Sequence, residues 1–134
     1  MSKPEFFNPP GTEVFRDGYH FSQVVRQQPG STTLKTSGQG GWDSTLAIVA
    51  DPKKQIEQTL QNVLAALRAA ESSVTWRDIT SIRSYHTDLA ATFETTVQVF
   101  KEMDPDHRPV WTCVGVAALA IPGMVVEFEA EAVV

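Results

Sequence analysis

The chain has 134 residues, 20% of them charged, and a formal net charge of −5. That length suits one domain with a core of its own, and the single cysteine, Cys113, excludes an internal disulfide framework and a thiolate zinc centre. The acidic balance without any Lys/Arg run opposes a nucleic-acid partner. No apolar stretch reaches the roughly 18 residues of a membrane-spanning helix, and the start lacks the hydrophobic region of a signal peptide, so a soluble cytoplasmic protein with no membrane partner is expected.

Residues 1–12, with Phe6-Phe7 set among prolines, read as an extended arm of a single domain over 1–134. Val14-Phe15, Phe21–Val25 and Thr32–Thr36 then alternate with the turn signals Asp17-Gly18 and Gln27–Gly30, the pattern of a strand meander. Asp51-Pro52 predicts a helix start: aspartate accepts bonds from free amides, and proline suits the first helical position. Ile56, Leu60, Val63, Leu64 and Leu67 follow at helical spacing. Ile79–His86 is the next predicted strand, with Ser81, Arg83 and Tyr85 on one face and Ile82, Ser84 and His86 on the other. Thr87-Asp88 caps a second helix carrying Leu89, Phe93, Val97 and Phe100, which Asp104-Pro105-Asp106 ends. Trp111–Leu119 and Val125–Val134 read as strands joined through a Pro122-Gly123 turn.

The order β-β-β-α-β-α-β-β implies an α+β fold: a mixed six-stranded sheet with two helices on one face. Two helices cover only that face. Arg83, Tyr85 and Cys113 are therefore expected on the far side, against water or a neighbouring subunit, and a symmetric oligomer is the economical solution.

The chemistry-bearing residues are few. Ser37-Gly38-Gln39-Gly40-Gly41 permits a sharp turn or close approach to a ligand, but it lacks the GK[ST] ending of a phosphate loop. Glu127, Glu129 and Glu131 share one face of the last strand, where a partly buried carboxylate can act as general base and a solvated one only protects the strand. His20, His86 and His107 have no ligand spacing, so no metal site is expected. Cys113 lies in an apolar strand and reads as a small buried hydrophobe.

In chain order, Phe21-Ser22-Gln23-Val24, Thr36-Ser37-Gly38-Gln39, Asn62-Val63, His86-Thr87-Asp88-Leu89, Pro109-Val110-Trp111-Thr112-Cys113-Val114 and Val126-Glu127-Phe128-Glu129-Ala130 resemble the RidA/YjgF family. The resemblance implies a chorismate-mutase-like fold, a homotrimer with ligand clefts between subunits, no cofactor, and a small-molecule substrate. It also implies hydrolysis of reactive enamines and imines, such as 2-aminoacrylate, to a keto acid and ammonia. Glu127 falls where the family has the glutamate that orients the attacking water. Cys113 matches a substrate-binding position, acting through its amide, and Ser37, Gly38 and Tyr85 are counted with it as substrate-binding.

Two positions depart from the family pattern. Trp111 stands where RidA-type deaminases carry an arginine for the substrate carboxylate, and Phe21 stands where they carry a tyrosine. With Trp111 and Phe21 as aromatic walls of the cleft, the expected substrate is bulkier or aromatic rather than 2-aminoacrylate. The alternatives are a tautomerase or cyclase using the same cleft and a noncatalytic ligand-binding trimer. A ribonuclease is the least supported reading, given the negative charge.

Overall fold

A computed structural model describes residues 3–134; Met1 and Ser2 of the expected arm lie outside the described residues. The arm contains a short strand, β1 (Glu5–Phe7), and Phe6 packs edge-on against the His107 ring at 5.5 Å. Val14-Phe15, expected in a strand, lie instead in α1 (Glu13–Asp17). Two apolar neighbours are too few to set a period of two, and Gly11, at φ +89, turns the chain just ahead of this single helical turn. The next strands are β2 (Val24–Arg26) and β3 (Thr33–Lys35). Then come α2 (Pro52–Ala70), β4 (Ile79–His86), α3 (Leu89–Met103), β5 (Val110–Gly115) and β6 (Val126–Val133).

The fold is α+β, but the strands do not form one six-stranded sheet. A four-stranded mixed sheet has the order β3-β6-β4-β5, while β1 and β2 form a separate antiparallel ribbon. The segment ahead of β2 reaches the β5 edge at one bridge, Ser22 with Val110. Beyond it the Gln23 N–H donates to Asn8 Oδ1 at 3.0 Å, and the chain leaves to pair with β1. Strand β5 ends at Gly115, short of the expected Leu119. Parallel β4 and β5 are joined by α3, as a parallel pair requires a crossover.

Both long helices begin where the sequence predicts. Asp51 accepts the Lys54 N–H at 3.0 Å and Asp88 accepts the Ala91 N–H at 3.2 Å, each satisfying an amide that the first helical turn leaves free. The buried face of α2 contains Ile56, Leu60, Val63, Leu64 and Leu67. That of α3 mixes Val97, Val99 and Phe100 with Thr92 and Thr96, whose hydroxyls bond back to the carbonyls of Asp88 and Thr92. Under the helices lie Ile82 of β4, Trp111 of β5, and Val126, Phe128, Ala130 and Ala132 of β6.

Two polar devices hold this core in register. Gln55, fully buried, donates through its amide to the carbonyls of Val49 and Gly123 and accepts from the N–H groups of Val125 and Val126. One side chain thereby ties the loop before α2 to the start of β6.

The second device centres on His86, also fully buried. The Thr92 hydroxyl donates to the Asp88 carbonyl, so its oxygen accepts from His86 Nδ1 at 2.8 Å. That fixes Nε2 as the acceptor for the Ser84 hydroxyl at 2.8 Å, whose oxygen in turn accepts the Trp111 indole N–H at 2.8 Å. All four side chains are satisfied in one direction around neutral imidazole.

Two outcomes follow from these networks. Gln55→Leu strands two buried N–H groups and two carbonyls and is expected to lower stability by about 2–4 kcal/mol in urea unfolding. An unchanged urea midpoint would contradict the clamp. Burial pushes the His86 pKa down from 6.5 to about 4. The unfolded chain then binds the proton first: the stability of the neutral form is complete above about pH 6.5 and is lost as pH falls toward 4. This contributes roughly 3 kcal/mol across that window. Burial lowers the pKa of His20 and His107 as well. His86→Gln should flatten the dependence between pH 6.5 and 4; an unaltered slope would count against the assignment.

Candidate functional site

Strand alternation sends every second residue of β4 and β6 away from the helices. Lys35, Arg83, Tyr85, Glu127, Glu129 and Glu131 thus share the uncovered sheet face, with Tyr85 opposite Glu127 and Arg83 opposite Glu129. After β3 the chain keeps to the edge of β6. Thr36 exchanges bonds with Ala130, and Gln39 donates to the Phe128 carbonyl at 2.7 Å and accepts its N–H at 2.9 Å. This pairing seats Gly38 against the Glu127 carboxylate. A Cβ built on Gly38 would stand 2.5 Å from Glu127 Oε2, so only glycine lets the acid lie there. Exposed Ser37 adjoins it.

Four expected site residues, Ser37, Gly38, Tyr85 and Glu127, therefore gather at one end of the open face. Glu127 is half-buried there. The Tyr85 hydroxyl donates to Glu129 Oε1, and this bond raises the phenol pKa above its ordinary value. The phenol stays protonated at neutral pH as a donor. A cavity of about 170 Å³ continues along the face between Lys35, Ser81, Arg83, Glu129 and Glu131.

The other three expected residues lie elsewhere. Trp111 borders the groove beside the β5 edge, but its register opposite Ile82 puts the indole on the helix-covered face, 8% exposed. It stacks on Phe93 at 5.4 Å, and Phe100 and Phe21 meet it edge-on at 4.9 and 5.6 Å. Aromatic packing and the Ser84 bond together make it a core pillar.

Cys113, expected on the far side, is also on the helix-covered face, opposite Ser84. Burial raises its thiol pKa, against a smaller lowering by the Ser84 hydrogen bond, so it is not poised as a thiolate nucleophile. Its backbone is differently placed. The Pro109 carbonyl faces Ser22 at the outer edge of β5, and by alternation the backbone groups of Trp111 and Cys113 turn to the same edge. Phe21 is half-buried between Phe15 and Trp111.

Sequence reasoning put Arg83 and Glu129 on this face without giving either a role there. Glu129 holds Tyr85, and Arg83 stands uncommitted beside it. Both could be placed there by alternation alone, but nothing in the sequence says which carboxylate the tyrosine takes. Among the described residues, no group of three or more His, Cys, Asp or Glu side chains could hold a metal ion, and no helix is long and apolar enough to cross a membrane.

Residues 16–134 match the model of the family described as endoribonuclease L-PSP. Comparison with curated proteins gives no match. Among solved structures, YyfB of Yersinia pestis, a Rid-family protein of unknown function, is 27% identical with a TM-score of 0.86, over 99% of this chain and 100% of that one. TdcF of E. coli, solved with bound serine, is 33% identical with a TM-score of 0.67, over 80% of this chain and 84% of that one. Rv2704 of Mycobacterium tuberculosis, of the YjgF/YER057c/UK114 family, is 26% identical with a TM-score of 0.65, over 98% and 100% of the two chains. With the family model matching from Arg16 to the last residue and the α+β fold shared with these structures, the chain belongs to the endoribonuclease L-PSP family, that is, the RidA/YjgF family.

Proposed function

We propose that this chain is a RidA-type hydrolase of an imine or enamine bulkier than 2-aminoacrylate, working in a cleft completed by neighbouring subunits of a homotrimer in the cytoplasm. The observation that carries this reading is the Glu127 carboxylate resting on Gly38, opposite Tyr85, on a sheet face that no helix covers. Glu127 takes a proton from water as the water oxygen attacks the imine carbon. Glu127 passes that proton to the nitrogen as the C=N bond becomes a C–N bond, then takes the carbinolamine hydroxyl proton and delivers it to the amine. Collapse to the carbonyl then expels ammonia and returns Glu127 to its starting state. The open sheet face and the outer edge of β5 supply surface for the neighbouring subunits.

The departures shape the substrate. Where the family has its carboxylate-binding arginine, Trp111 is locked into the core, so that position holds no anion. A substrate as small as 2-aminoacrylate loses its anchor, whereas a bulkier one has apolar surface to bind through. Apolar side chains near Phe21 suit such bulk, while the Trp111 indole is packed into the core. The absence of a hydroxyl at Phe21 favours the second reading, a noncatalytic ligand-binding trimer. A tautomerase or cyclase would use Glu127 to move a substrate proton without water. Three glutamates on the open face and a net charge of −5 oppose an RNA substrate.

Imines generated in situ from leucine, phenylalanine and serine-derived 2-aminoacrylate, with ammonia release as readout, test the reaction. Turnover is expected on the bulkier imines in preference to 2-aminoacrylate. Glu127→Gln should lower it by roughly 10²-fold or more with the fold intact, Gly38→Ala should lower it by displacing the carboxylate, and Glu131→Gln should leave it near wild type. Equal small effects of Glu127→Gln and Glu131→Gln would return the carboxylates to a solvated strand face. Sedimentation is expected to report three subunits; a persistent monomer at micromolar concentration would remove the shared cleft.

A further inference from the structure

A groove of about 430 Å³ lies at the far end of the sheet from Glu127, where the arm meets the start of β4 and the end of β6. Val133, in its wall, is six residues beyond Glu127 on β6, about 20 Å along an extended strand. Val133 is buried, so this end is no part of the uncovered sheet face. Lys3, Pro4 and Phe6 also line the groove, all of them ahead of Arg16, where the match to the family model begins.

Most donors of this groove are spent inside the chain. His107, 7% exposed, donates Nε2–H to the Ile79 carbonyl at 2.7 Å, which leaves Nδ1 a lone pair with no partner among the described residues. Burial lowers the pKa of this imidazole, so it is neutral at pH 7 and Nδ1 can only accept. The Ser31 hydroxyl donates to the Gln28 carbonyl at 3.0 Å, and Arg77 forks onto Asp104 at 2.7 and 3.1 Å. The lining acceptors, by contrast, are open. Exposed Asp106 has no side-chain partner among the described residues, and Asp78 accepts only from Thr75, through Oδ2. Lys3 is the one lining cation without a carboxylate partner among the described residues.

We infer that this groove binds a small primary amine with an apolar body, its ammonium donating among Asp106, Asp78 and Nδ1 of His107 and its body lying against Pro4 and Phe6. An ammonium brings three N–H donors to a site that offers acceptors, two of them charged, and such charge-assisted bonds are the strong ones. A carboxylate or phosphate would meet two aspartates with Lys3 alone to hold it. A quaternary ammonium has the charge but no N–H for the buried lone pair, whose partner is then missing. Phe6 is half-buried and edge-on to the His107 ring at 5.5 Å, so an aliphatic or aromatic body beside it removes further apolar surface from water. The site requires binding alone and uses none of the groups invoked for hydrolysis, so it goes beyond that reading.

Calorimetry of the full chain with 2-phenylethylamine, 2-phenylethanol and trimethyl(2-phenylethyl)ammonium, together with the His107 Nδ1 resonance, tests the site. The amine is expected to bind saturably and to move that resonance, with the alcohol and the quaternary ammonium about tenfold weaker or more. Asp106→Asn should weaken the amine to the same degree, and Lys3→Met, which removes the competing cation, should tighten it, with the circular dichroism of both variants unchanged. Glu127→Gln should bind the amine as the parent does. Undiminished binding to Asp106→Asn, a quaternary ammonium held as tightly as the amine, or no saturable binding at millimolar amine overturns the site. So does binding lost in Glu127→Gln, since the amine then lies on the open sheet face. A changed assembly mass in Asp106→Asn without amine overturns it too, because a lysine of a neighbouring copy then fills the groove. Ammonia release is no part of the readout, so hydrolysis can fail while binding stands, and the reverse.

Discussion

Burying Val126, Phe128, Ala130 and Ala132 beneath the helices forces Glu127, Glu129 and Glu131 onto the opposite face of β6. A strand has a side-chain period of two, so a slip of one residue would drive three carboxylates into the core and four apolar side chains into water. That penalty fixes β6 against β4, and with it the pairing of Glu127 with Tyr85. Gln39 then places Gly38 by bonding the backbone of Phe128, itself fully buried. The position of the candidate base is therefore a consequence of core burial, with the glycine as the one local concession that lets the carboxylate settle.

The same alternation on β5 sets the direction of Trp111. Its indole is directed beneath α3, where Phe93 and Phe100 enclose it and Ser84 takes its N–H. Through Ser84 the indole is joined to His86, and through Thr92 to the start of α3. Trp111 thereby binds strand to helix.

Much of this was legible in the sequence because it depends on local periodicity. The caps at Asp51 and Asp88, the face of α2 and the two faces of β6 are all functions of nearest neighbours, and each is found where the residues place it. What failed depends on distant partners. Val14-Phe15 were too short a run to distinguish strand from helical turn. The Phe21–Val25 segment alternates properly, yet β2 pairs with β1 because Asn8 and the arm offer it bonds from far away in sequence. Cys113 was assigned to the wrong face because β5 lacks the apolar-polar contrast that marks β6. Glu127 and Gly38 emerged from the family resemblance, but their contact, and the uncommitted state of Arg83, required three dimensions.

The central claim is that the chemistry of this chain belongs to the open sheet face, at Glu127, and not to the aromatic side of β5. A crystal structure with a bound aromatic 2-oxo acid, the product expected of a bulky imine, tests it most directly. The account predicts the oxo carbon beside the Glu127 carboxylate and Gly38. An oxo acid bound away from that end of the sheet face, with Glu127 in contact only with water, would contradict it.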